Sequence, residues 1–211
     1  MSANPLDSAD ANGAFAQLEM LVQKTNIAGK SGKLLYSSRT TLSPGELYVL
    51  GFNPGGDPNV ENETVAENIA ATPQSGWNEY THGIWKLRDK VYPAGEQPRQ
   101  RRIRSFFDVA GYDITAAFCS NVFFMRGIDV QRSVKTTDFS VLANECAFLH
   151  RFMLDVVRPR IVVCFGHDAF RWFEKLNLSL RKDVHVEQVP HFARGSNEAF
   201  FAAAAKLRSL L

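Results

Sequence analysis

Apolar residues along this chain fall into two patterns. Four short runs rich in apolar residues, 47–51, 117–123, 161–165 and 184–189, read as strands covered on both faces. Between them apolar positions recur at helical spacing over 14–25, 64–71, 99–110, 138–157 and 168–176. A last helix opens at Ser196, where Ser196-Asn197-Glu198 forms an N-cap sequence before an alanine-rich body. Residues 1–12 are small, polar and turn-rich and read as a disordered lead-in, with 13–211 forming one domain.

Strands that alternate with helices pair in parallel, because each crossover must return the chain to the same edge. The predicted fold is therefore a three-layer α/β/α sandwich around a central four-stranded, mainly parallel sheet. In such open sheets ligands bind beyond the carboxyl ends of the strands, so the residues just after each run carry the functional information.

Composition narrows the classes. A chain of 211 residues that is 45% hydrophobic and 22% charged supports a sizeable core. The apolar runs are too short to span a bilayer, and MSANPLDSADANG has neither a basic start nor a hydrophobic stretch, so a cytoplasmic protein with no membrane partner is expected. Cys119, Cys146 and Cys164 are widely separated and no CxxC occurs; a four-thiolate zinc or iron–sulfur site cannot form from one chain, and no metal or other cofactor is expected. A net charge of +2 leaves any nucleic-acid contact to local patches.

The first run leads into Gly51-Phe52-Asn53-Pro54-Gly55-Gly56, where glycines allow close backbone approach and prolines stiffen the turn around one asparagine. It lacks the lysine and spacing of a phosphate loop, although an ordinary strand-to-loop turn would look similar. The second run ends in Asn121, whose amide offers a donor and an acceptor to the edge of a base, or to neighbouring backbone. The third ends at Gly166-His167-Asp168, where His167 or Asp168 is expected to cap the next helix while its free amides face a phosphate. The fourth ends in Pro190-His191-Phe192-Ala193-Arg194-Gly195, a histidine with a cation nearby. Arg99, Arg101, Arg102 and Arg104 form a second basic group, either a solvated helix face or a contact to a phosphate backbone.

With these segments in view the chain resembles the uracil-DNA glycosylase superfamily, in particular its mismatch-specific and single-strand-selective branches, whose first motif reads Gly-x-Asn-Pro-Gly. GFNPG at 51–55 matches it; CSNVFF is similar to the strand-end asparagine segment, IVVCFGHDAF to the third-strand Gly-x-x-Ala segment, and His191 to the histidine after the fourth strand. The likeness spans most of 46–200. The family's last motif is usually His-Pro-Ser, followed by small residues that wedge into the duplex, whereas Phe192-Ala193-Arg194 follows His191 here. The cluster-bearing branches need four cysteines, so the likeness is to the cluster-free ones.

The resemblance implies a monomeric enzyme that flips a damaged or modified base out of DNA and hydrolyses its N-glycosidic bond. Asn53 would position the attacking water and His191 would donate a hydrogen bond to the anionic leaving base. Asn121 would select the base, and Gly51, Phe52, Pro54 and Gly55 would shape its pocket. Trp77 or Tyr80 would stack on the base, although Trp77 suits a core equally well. Arg194, Gly166 and His167 would meet the DNA backbone. Glycosylases of hypermodified phage bases or deaminated purines, and a non-catalytic nucleic-acid-binding module, are the alternatives.

Overall fold

The computed structural model describes residues 5–87, 90–127, 137–178 and 180–211. In chain order its elements are helix α1 (Pro5–Gln23), strand β1 (Leu47–Gly51), helices α2 (Val65–Ala71) and α3 (Glu79–His82), a hairpin of β2 (Lys86–Leu87) and β3 (Lys90–Val91), and helix α4 (Pro98–Ala110). Then follow β4 (Phe118–Asn121), α5 (Thr137–Val157), β5 (Ile161–Phe165), α6 (His167–Lys175), β6 (His185–Val189) and α7 (Asn197–Leu210).

The central sheet has the order β4-β1-β5-β6, and every pairing in it is parallel. Side chains alternate across it. Tyr48, Leu50, Val162 and Cys164 enter a core shared with α1, α2, α5 and α6, while Val49, Val163, Phe165 and Val189 enter a second core under α3, α4 and α7. These two cores make the layers of an α/β/α sandwich. Among the described residues no helix is long and apolar enough to cross a membrane.

Local chemistry sets the helix ends. Thr64 and Glu67 form a reciprocal capping box at α2, and the Ser196 hydroxyl accepts from the Ala199 N–H at α7. Gly111, at φ 70°, closes α4 in the left-handed conformation.

Six elements differ from expectation. Helix α1 begins at Pro5, inside the segment read as a lead-in, because that stretch has no apolar stripe to announce a helix. Strand β4 is shorter than 117–123 because the chain bends after Asn121. Strand β6 lies at the sheet edge and its His185 and Gln188 are exposed, although Val189 enters the second core and Val186 packs partly against the first. Helix α3 and the hairpin were not expected, being too short to show a period.

Candidate active site

The register places the ends of all four strands on one edge: Gly51 beside Asn121, Leu50 beside Cys164, and Phe165 beside Val189. Pairing of β1 with the β4 segment continues past the strands, since the Val122 N–H donates to the Gly51 carbonyl at 2.9 Å and the Phe123 N–H to the Phe52 carbonyl at 3.0 Å. The carbonyl of Gly55 accepts from Nε of Arg126 at 3.1 Å. Asn53, half-buried, is thus carried between two tethered residues, with Pro54 buried beside it. The Arg126 side chain is only 2% exposed and is balanced by Glu61 at 3.1 Å and Glu63 at 3.4 Å. Phe52 is half-buried and packs edge-on against Phe123, with ring centroids 5.5 Å apart.

Asn121 ends β4 and is 3% exposed. A Cβ on Gly51 would collide with its Oδ1, so the amide lies across the end of β1 where no side chain intrudes. Its Nδ2 is buried and, among the described residues, has no partner in hydrogen-bond geometry. Leaving such a donor unsatisfied costs about 1–3 kcal/mol, which makes it an exception that a ligand acceptor would remove. The amide lies near the Tyr36 phenol without meeting hydrogen-bond geometry; burial, and then the nearby Glu79 carboxylate, push that phenol's pKa well above the usual tyrosine range, and the Asn121 amide opposes the rise.

His191 follows β6. Gly166, at φ 92°, occupies a region open mainly to glycine, and a Cβ there would sit 3.0 Å from Cδ2 of His191. The imidazole therefore leans over the end of β5, toward β1. Its Nδ1 accepts the Ala193 N–H at 3.1 Å, which leaves the proton of the neutral ring on Nε2 as a donor. Burial, followed by the charges of Arg194 and Arg99, holds its pKa below the ordinary histidine value, so the ring is neutral at pH 7. Phe192 stacks against it at 4.5 Å and packs in turn on Phe165.

Strand β1 ends in Gly51 and β5 is followed directly by Gly166; Asn121 at the end of β4 lies over the first of these glycines and His191, after β6, over the second. Asn53 and His191 leave strands two ladder steps apart, roughly 10 Å, with no bulky side chain at Gly166 between them. Together Asn53, Asn121 and His191 provide two amides and one neutral imidazole donor on a single edge of the sheet. A cavity of about 210 Å³ opens instead at the opposite edge, between Leu154, Arg158, Leu178 and Arg181. Arg181 there is engaged with the carbonyls of Arg158 and Pro159, and none of the strand-end residues lines that cavity.

Several expectations change. Tyr80 is 2% exposed and packs against Tyr36 and Trp85, so it is a core residue and has no face for a base. Trp77 is half-buried and its carbonyl accepts from the Ser38 N–H. Gly166 itself is the N-cap residue of α6 and no side chain caps the helix; His167 and Asp168 lie exposed in its first turn. Of the α4 arginines, Arg104 pairs with Glu96 at 3.1 Å and Arg102 bonds backbone carbonyls, whereas Arg99 and Arg101 are exposed. Arg126 escaped the sequence reading; its only signal is a lone cation closing the apolar run Val122-Phe123-Phe124-Met125 before Gly127.

Burial pushes the thiols of Cys119 and Cys146 up to about 12. Among the described residues no three His, Cys, Asp or Glu side chains gather as metal ligands would. No protein-family model and no curated protein matches the chain.

Proposed function

We propose that this chain is a DNA glycosylase that extrudes one damaged or modified base from DNA, receives it at the carboxyl edge of its sheet and hydrolyses the N-glycosidic bond. The observation that carries the reading is the buried, unpartnered Nδ2 of Asn121, which shares a sheet edge with a neutral imidazole whose Nε2–H is available to donate. A pyrimidine carbonyl supplies the acceptor that Asn121 lacks.

Extrusion costs a few kcal/mol in unstacking and unpairing. Stacking of the base on an aromatic face returns about 1–3 kcal/mol, and Phe52, next to Asn53, takes that role in place of Tyr80. Cleavage leaves positive charge on the sugar and negative charge on the base. Nε2–H of His191 donates to the developing base anion, an interaction worth roughly 3–4 kcal/mol in oxyanion-type sites. A neutral donor is suited to this, because its proton stays in place while charge develops opposite it. Asn53 orients water toward the sugar carbon by hydrogen bonding and abstracts no proton, so the enzyme relies on leaving-group stabilisation.

Exposed Arg194 on the His191 turn and the entry of α6 at Gly166 and His167, which no side chain caps, meet the flanking phosphates. The protein acts on DNA as a monomer in the cytoplasm. Abasic sites scored after incubation with oligonucleotides carrying uracil, modified pyrimidines and deaminated purines test the proposal. Base release from at least one pyrimidine substrate is expected; tight DNA binding with no release from any of them contradicts it.

A further inference from the structure

The turn that carries His191 is gripped from outside by one side chain. Nη1 of Arg102, on α4, donates to the carbonyl of Phe192 at 3.0 Å, and Nη2 donates to the carbonyl of Gly195. The same guanidinium lies 4.6 Å from the ring centre of Phe200 at the start of α7. One planar group thus bridges the two carbonyls that bracket Ala193 and Arg194. Inside the bracket the chain closes on itself. The N–H groups of Arg194 and Gly195 both donate to the His191 carbonyl, at 3.0 and 2.9 Å, and the Ala193 N–H donates to Nδ1 of the ring. Gly195 has no room for a side chain, since a Cβ would lie 2.6 Å from Cβ of Pro190.

Among the described residues the buried Nε of Arg102 has no partner, so the side chain is held in this place at a desolvation cost by its other contacts. A guanidinium with both forks on backbone carbonyls and its face on a ring has little left to offer a phosphate. Its neighbours Arg99 and Arg101 stay exposed.

We infer that Arg102 is a positioning residue for His191: by holding the Phe192 and Gly195 carbonyls it presses the Ala193 amide against Nδ1, and so fixes the ring as an Nε2–H donor over Gly166. The consequence for base release rests on the proposed glycosylase reading; the geometry of the turn does not. Lysine cannot substitute, because a single ammonium on a flexible stem lacks the rigid fork that spans two fixed carbonyls. Arg102→Lys therefore keeps the charge and loses the bridge.

The test follows the imidazole nitrogens of His191 by ¹⁵N NMR and the exchange of the Ala193 amide in wild type, Arg102→Lys and Arg102→Met. Wild type is expected to show one tautomer, protonated at Nε2, and a protected Ala193 amide. In Arg102→Lys the tautomers mix and Ala193 exchanges at least about tenfold faster. On a cleaved substrate kcat falls by about tenfold to a hundredfold with DNA affinity nearly unchanged, and adding His191→Ala to Arg102→Lys lowers the rate no further than His191→Ala alone. An unchanged tautomer and unchanged Ala193 exchange in Arg102→Lys overturn the inference whatever the activity, and independent, multiplying losses overturn the route through His191. If wild type releases no base, the spectra still decide the role of Arg102 and only the glycosylase reading falls. Should Arg102→Met fail to fold, the lysine variant carries the test.

Discussion

An alanine at position 51 would drive a methyl carbon into Oδ1 of Asn121 and to 3.4 Å from its Cγ. Gly51 lies within β1 and its φ is not positive, so the substitution adds no backbone strain and acts through that collision alone. Ordinary van der Waals contact begins near 3.4 Å, and the amide must retreat by about 1 Å, yet Asn121 is 3% exposed and has little room to do so. Overpacking of this kind costs about 1–3 kcal/mol. Misplacement of a substrate-orienting group by about 1 Å costs up to about a hundredfold in rate. Gly51→Ala should therefore lower the urea-unfolding free energy by that moderate amount while base release falls by one to two orders of magnitude. Gly29, which has nothing within 4 Å of a built Cβ, provides the control, and Gly29→Ala should leave both quantities near wild type. A Gly51→Ala protein with wild-type stability and wild-type release would refute the placement of Asn121 over the end of β1.

Other expectations follow from single side chains. His150 is fully buried, bonded to the Tyr48 hydroxyl and the Val122 carbonyl, and burial pulls its pKa down to about 4. Above pH 6.5 the ring is neutral folded or unfolded and its full contribution is present; as pH falls toward 4 the unfolded chain binds the proton first, and roughly 3 kcal/mol is lost. Denaturation of wild type and His150→Gln between pH 7 and 4 should show that extra loss in wild type only. Arg126→Met removes the donor that fixes the Gly55 carbonyl, and should cost about 1–3 kcal/mol in thermal unfolding together with base release. Tyr80→Phe should keep near-wild-type release, whereas Tyr80→Ala should lose about 3–5 kcal/mol of stability, as a core ring does. Arg194→Ala should make the dependence of log DNA affinity on log salt shallower by about one, with an unchanged slope counting against a phosphate contact.

The strands β1 and β5 coincide with their expected limits because central parallel strands are covered on both faces and leave uninterrupted apolar runs. The edge strand β6 was harder to read: its exposed Gln188 and buried, ion-paired Glu187 follow from its position in the sheet, which no local pattern encodes. Helix α2 was legible through its helical spacing and α7 through its cap at Ser196, whereas α1 starts in a stretch with no apolar stripe.

The placement of Asn53, Asn121 and His191 at one end of the sheet was legible because parallel topology brings the residues that end or follow each strand to the same edge. The choice among aromatics was not, since Tyr80 differs from Phe52 only in what other segments cover it. Arg126 and Arg102 were illegible as supports for a related reason: they bond backbone carbonyls 71 and 90 or more positions away, and a carbonyl carries no sequence signature. The glycines at 51 and 166 read as turn residues, while their tighter constraint is the polar side chain lying over each.

The most direct test of the account measures single-turnover base release from one cleaved oligonucleotide by wild type, Asn53→Ala, His191→Ala and the double variant, with DNA affinity measured alongside. Each single variant is expected to slow release by about a hundredfold or more while DNA still binds. Variants that bind DNA and release the base at the wild-type rate would show that the amide at 53 and the imidazole at 191 do not act on a shared base.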